Sequence, residues 1–271
     1  MLLSALLGAL VGAILGLTGA GGGILAVPAL SVGMHWTMQQ AAPVALIAVA
    51  IGAAVGAAEG LRKGLVRYKA AALIALCGFP LVYLGQSLAH QLSQPVLQAG
   101  FSGVMLLVAY RLIQQVRKQG AGQSEAELPF GKARIHPESG KFIWTVSTAA
   151  VLAAIGGATG FLTGLLGVGG GFVIVPMLRK FTEVSMQGIV ATSLMVIALV
   201  GASGVGSALL QHTAIPWAAA ATFSATTVLG MVAGRSLIRK ISPQQVQMAF
   251  SLVLTLVATG LLLSALQSLL A

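Results

Sequence analysis

The chain has 271 residues, 57% of them apolar, and its charged side chains comprise 15 Lys or Arg and five Glu, a net charge of +10. Only 7% of residues are charged, against about 25% in a soluble domain. With a mean hydropathy of +0.96 and recurring apolar runs of about 18 residues or more, the main solvent is the bilayer, which excludes a soluble globular enzyme. The basic residues fall in short clusters between apolar runs and form no continuous face, so nucleic acid is excluded as a partner. A single cysteine, Cys77, excludes an internal disulfide and a thiolate zinc site.

In chain order, with about 20 residues per crossing, apolar stretches fall at 1–34, 41–60, 70–89, 95–113, 142–178, 187–210, 214–234 and 244–270. Met1–Leu17 carries no basic n-region and runs directly into a motif that returns later, so it is expected to belong to the first membrane unit and not to a signal peptide. Residues 119–141 gather Gly, Pro, Ser and three of the five Glu and read as an aqueous linker. The expected organisation is a first transmembrane repeat over 1–118, a cytoplasmic linker over 119–141 and a second transmembrane repeat over 142–271.

The repeat is visible in the residues. GLTGAGGGILAVPAL at 16–30 returns as GLLGVGGGFVIVPML at 164–178, aligning Gly16, Gly19, Gly21, Gly22, Gly23 and Pro28 with Gly164, Gly167, Gly169, Gly170, Gly171 and Pro176. Met38-Gln39 then matches Met186-Gln187, and Gly85-Gln86-Ser87-Leu88 and Phe101-Ser102 match Gly234-Arg235-Ser236-Leu237 and Phe250-Ser251. The halves are tandem copies of one unit. All basic residues lie at 62–69, 111–141, 179–180 and 235–240, which the positive-inside rule makes cytoplasmic. Shifted by one repeat, the first, third and fourth clusters land on stretches without Lys or Arg, so equivalent loops carry opposite charge bias. That is the mark of inverted-topology repeats.

Inversion requires an odd number of crossings per half, whereas four hydropathic segments are counted in each. The stretch 142–178 begins and ends beside basic clusters, so it must cross twice or dip in and return, and 1–34 must do likewise. A helix over 164–178 reaches only about 22 Å, short of a hydrocarbon core of about 30 Å. The fold class expected is therefore an all-α polytopic membrane protein of about eight hydropathic segments in two inverted repeats, each opening with a Gly-rich broken or re-entrant segment. Two simple helices kinked at Pro28 and Pro176 are the alternative.

Consecutive glycines at lipid depth expose backbone that must be satisfied by protein or a watery cavity. Converging N–H groups and the positive end of the following half-helix make an anion site, expected from Gly21, Gly22 and Gly23 facing Gly169, Gly170 and Gly171 near the midplane. Close helix packing by small residues is the competing explanation. The polar side chains available to complete the site are Thr18, Thr163, Gln39, Gln187, Thr192, Ser193, Ser203, Thr226 and Thr227, with Thr192 and Ser193 favoured because the repeat register places them one segment after the motif. Glu59, three and four residues before Arg62 and Lys63, reads as half of a surface helical pair. His35, His90 and His212 fall near uncharged loops and read as interfacial.

The paired motifs GAGGGILAVP and GVGGGFVIVP, with the run Ala191-Thr192-Ser193-Leu194 after the second, resemble the TauE/SafE sulfite exporter family, also called the toluene sulfonate uptake permease family. The first-half counterpart, Pro43-Val44-Ala45-Leu46, departs from that pattern. The resemblance implies a bacterial inner-membrane transporter of sulfite, thiosulfate, sulfonates or related small anions. The expected function is a secondary carrier, not an enzyme, working by alternating access with one repeat rocking against the other. An anion-selective channel, or the membrane subunit of a larger transport complex, is the alternative. The expected partners are a small anion and membrane lipid; no cofactor and no metal site are expected, and no feature of the residues fixes an oligomeric state.

Overall fold

The computed structural model describes residues 2–19, 21–120, 144–182, 184–237 and 242–270. Ten α-helices follow in order: α1 (Leu2–Thr18), α2 (Ala26–Met34), α3 (Met38–Arg62), α4 (Tyr68–Gln91), α5 (Gln94–Gly120), α6 (Val146–Leu166), α7 (Gly171–Phe181), α8 (Met186–Leu210), α9 (Trp217–Leu237) and α10 (Pro243–Leu270). The eight hydropathic stretches thus resolve into ten helices, because 1–34 and 142–178 each hold two. Seven of the described helices (α3, α4, α5, α6, α8, α9 and α10) are long and apolar enough to cross a membrane. The chain is an all-α polytopic membrane protein. Most of the expected linker, residues 121–141, lies outside the described residues.

Local signals account for the boundaries. Thr37 opens α3 with a capping box, its hydroxyl accepting from Gln40 N while the Gln40 side chain accepts from Thr37 N; Thr145 and Ser185 cap α6 and α8 on Thr148 N and Gly188 N. Each cap satisfies an amide that a helix start otherwise leaves without an acceptor. Pro28 cannot bond to the Ile24 carbonyl one turn back, and the segment before it, Gly22–Leu25, winds as a tighter 3-10 turn. Pro28 and Pro176 lie inside α2 and α7, not at the break between the limbs. The chain reverses at the glycines, with α1 ending at Gly19 and α6 at Gly167, both at positive φ. A Cβ on Gly22 would lie 2.5 Å from Leu15 N and Cα, so the return limb lies directly on the outgoing one. Both Gly-rich segments are helical hairpins.

Close contacts fix the direction of each helix. The starts of α3 and α5 meet where Met38 N donates to Gln94 Oε1, and the end of α4 joins them through Gln39 Nε2 to the Ala89 and Leu92 carbonyls. On the opposite face, Glu59 near the end of α3 pairs with Arg235 near the end of α9, and Thr192 near the start of α8 accepts from Arg67 N just before α4. α3 and α8, equivalent in the repeat, therefore run in opposite directions, and so do α4 and α9. The first face carries His35, His90 and His212; the second carries Arg62, Lys63, Arg67 and Arg235. We refer to these as the histidine face and the basic face. The α1–α2 hairpin starts and ends at the histidine face and α6–α7 at the basic face, so three further helices per half, α3–α5 and α8–α10, run from one face to the other.

The halves interlock. α1 packs along α9 and α4 along α6, while α3 packs on α8 and α5 on α10. Glycines spaced by four make the first two seams. Cβ atoms on Gly8, Gly12 and Gly16 would strike the backbone of α9 at Phe223, Thr227 and Met231, and those on Gly156, Gly160 and Gly164 the backbone of α4 at Ile74, Gly78 and Val82. Small residues at that spacing let helices approach to backbone contact, which replaces the hydrophobic driving force that lipid cannot supply. Each of these seams joins a helix of one half to a helix of the other. Large apolar side chains on the outer surfaces, among them Leu76, Phe79, Leu252, Leu256 and Leu263, are exposed and face lipid.

Candidate functional site between the glycine hairpins

The tips of the two hairpins converge at the middle of α3 and α8. A Cβ on Gly23 would lie 3.0 Å from Val49 Cγ1, a Cβ on Gly169 would lie 3.0 Å from the same methyl, and one on Gly169 would also lie 2.6 Å from Ile197 Cγ2. Val49 and Ile197 occupy the same position in the two repeats and are buried. A side chain at Gly19 would touch Val190, and one at Gly167 would touch Ala42. Val190, Ser193 and Ile197 lie on one face of α8 at helical spacing, so Ser193 stands between the places where the two hairpins touch that helix. The equivalent face of α3 presents Ala42, Ala45 and Val49, with no hydroxyl.

The second hairpin carries the polar groups. Gly170 precedes α7 at φ +65° with no side-chain cap, and Val173 N and Ile174 N donate to its carbonyl at 2.9 and 3.1 Å. A left-handed residue without a Cβ is what glycine supplies there, and the amides that follow head a positive dipole end. Thr159 and Thr163, one turn apart on α6, flank this point. Both are 0% exposed, and their hydroxyls, like that of buried Ser193, have no hydrogen-bond partner. A Cβ on Gly170 would lie 2.9 Å from Thr163 Oγ1 and would also strike Thr159 Cγ2. At the same registers of α1 stand Val11 and Leu15.

Of the other polar residues singled out from the sequence, Thr18 donates back to the Ile14 carbonyl at 2.7 Å, and Thr192 accepts from Arg67 N at 3.0 Å, tying α8 to the turn before α4. Gln39 ties α3 to the end of α4, and Gln187 is exposed at the start of α8. Ser203, Thr226 and Thr227 bond to carbonyls of their own helices. Glu59 accepts from Lys63 at 2.6 Å and from Arg235 at 2.7 Å. The structure thus brings Gly21, Gly22, Gly23, Gly169, Gly170, Gly171 and Ser193 into one region and leaves Gln39 and Gln187 near opposite faces. Thr159 was not among the sequence candidates.

From the histidine face a small cleft of about 30 Å³ runs inward past Gln39, His90, Gln86 and Thr213 to Ala42 and Gly164–Leu166. Ala42 also abuts Gly167, so the cleft ends beside the second glycine motif. Gln86 donates to the Gly204 carbonyl at 2.9 Å, and its Oε1 is buried without a partner. On the basic face the repeat puts Arg235 in the place of Gln86 and Gly56 in the place of Gly204; the guanidinium reaches the spot that a Cβ on Gly56 would fill, and it is held by Glu59.

A profile described as Sulfite exporter TauE/SafE matches residues 4–261. The chain belongs to the TauE/SafE family. It is 28% identical over 256 residues to a "Probable membrane transporter protein" of Xylella fastidiosa strain Temecula1, covering 93% of this chain and 90% of that one. It is 24% identical over 264 residues to "Probable membrane transporter protein YunE" of Bacillus subtilis strain 168, covering 94% and 95%. No solved structure matches the chain.

Proposed function

We propose that this TauE/SafE chain is a secondary transporter of small anions, sulfur oxyanions or organosulfonates of the sulfite, thiosulfate and sulfoacetate class, in the bacterial inner membrane. The observation that carries the reading is the convergence of two inverted glycine hairpins at the centre of the molecule, one of them reached by a cleft from the histidine face while an ion-paired arginine stands at the equivalent position on the basic face. Positive-inside charge makes the basic face cytoplasmic, so the conformation described opens toward the periplasm. The anion is held by backbone amides and neutral hydroxyls without a fixed cation, a preorganised donor set in a low-dielectric site. Alternating access then closes the cleft at Gln86 and opens its counterpart at Arg235. Because α1 is seamed to α9 and α4 to α6, the moving bodies each take helices from both halves.

A thermal-shift series on the purified protein tests the substrate class. Sulfite, thiosulfate or sulfoacetate is expected to raise Tm, since a ligand at a hundred times its Kd stabilises the state it binds by about 2.7 kcal/mol. An unchanged Tm with every one of these, at concentrations into the millimolar range, would contradict the reading.

A further inference from the structure

We infer that the anion is bound at one hairpin only, in a hydroxyl cradle formed by Thr159 and Thr163 at the amino terminus of α7. This rests on the reading of the protein as an anion transporter and names the part of the molecule that holds the oxyanion. Two independent features meet there. The first is the start of an 11-residue helix whose preceding residue, Gly170, brings no capping side chain. The second is a pair of completely buried threonine hydroxyls, one turn apart on α6, that have no partner. Threonines inside helices usually donate back to their own carbonyls, as Thr18 does, so two neighbouring hydroxyls free of that bond are available to donate elsewhere. Both pack directly against Gly170, where even a Cβ would strike Thr159 and lie 2.9 Å from Thr163 Oγ1.

A buried hydroxyl without a partner is costly to the empty protein. An oxyanion with two adjacent oxygens, such as a sulfite or a sulfonate head, removes that cost by accepting from Thr159 and Thr163 and from the first amides of α7. The first hairpin offers no equivalent: Val11 and Leu15 stand at the matching positions, and the 3-10 turn Gly22–Leu25 replaces the α-helical start. Two similar motifs therefore give one binding site, and the first serves as the wall against which the site opens and closes.

The test is isothermal titration of sulfite and of thiosulfate into the purified chain and into Thr159→Val, Thr163→Val and Thr163→Ser variants, with Tm measured on each without anion. One site per chain is expected. Each valine variant should bind about tenfold or more weakly, because a hydrogen bond to a charged group is lost, while its anion-free Tm stays level or rises; Thr163→Ser should bind like the parent. Valine variants that bind with parental affinity overturn the cradle, as does a lowered anion-free Tm with binding unchanged, which marks the hydroxyls as structural. Two equal sites per chain also overturn it. If the parent itself binds neither anion, the substrate reading fails first and the cradle with it; if the parent binds and the valine variants do too, only the cradle fails.

Discussion

Gly160→Leu is expected to abolish the folded protein, whereas Gly103→Leu is expected to leave it intact. A Cβ on Gly160 would press into the α4 backbone at Gly78, 2.6 Å from its Cα and 2.7 Å from its carbonyl carbon, while one on Gly103 would meet nothing within 4 Å. Overpacking against side chains costs about 1–3 kcal/mol because rotamers yield; a backbone inside a helix cannot yield in that way, so the cost here is about 3 kcal/mol or more. The seam also joins the two halves, so its loss disconnects α6, and with it Thr159 and Thr163, from α4. Size-exclusion chromatography in detergent reads the outcome as loss of the monodisperse peak for Gly160→Leu and its retention for Gly103→Leu. A Gly160→Leu protein as stable as the parent would show that the α4–α6 seam does not hold the fold together.

Cross-linking the basic-face ends of α3 and α9 is expected to stop transport. Arg235 reaches from α9 across the end of α3 to Glu59 at 2.7 Å, and Lys63 shares that carboxylate. As a partly exposed pair it contributes little to stability, about 0–1 kcal/mol; its place in the cycle matters more, because it stands where the repeat puts the counterpart of the open cleft. With Glu59→Cys and Arg235→Cys in a Cys77→Ser background, a short bifunctional maleimide should bring anion flux in proteoliposomes down to that of empty liposomes. The single-cysteine variants treated alike should keep their flux. Full flux through the cross-linked protein would mean that these helix ends do not separate during transport.

Much of this architecture is legible in the residues because the two copies report on each other. The repeated GxGGG segments and the unequal charge of equivalent loops indicate inverted halves, and an odd number of crossings is only reached if 1–34 and 142–178 fold back. The departure of Pro43-Val44-Ala45 from Ala191-Thr192-Ser193 is likewise visible as an asymmetry between halves, and the structure extends it, with Val11 and Leu15 at the repeat positions of the buried Thr159 and Thr163. The same reliance on shared positions conceals Thr159, which has a valine as its repeat mate. The interlocking of the halves is concealed for a different reason: α1 meets α9 more than 200 residues away along the chain, and no local pattern encodes that pairing. Its trace was present in Gly8, Gly12 and Gly16, and in Gly156, Gly160 and Gly164, spaced for close packing. Thr18, Thr192 and Gln39 are polar residues at plausible registers whose bonds are taken up by the protein itself.

The central claim is that a small anion binds at the centre of the molecule and is carried by alternating access, and counterflow tests it most directly. Proteoliposomes holding the purified chain are preloaded with unlabelled sulfite and diluted into radiolabelled sulfite, and uptake is followed against external concentration and against liposomes loaded with chloride. Alternating access predicts uptake that saturates and that internal sulfite accelerates, with a transient accumulation of label above equilibrium. Flux that rises linearly with concentration and is indifferent to the internal anion would contradict the account and describe a channel.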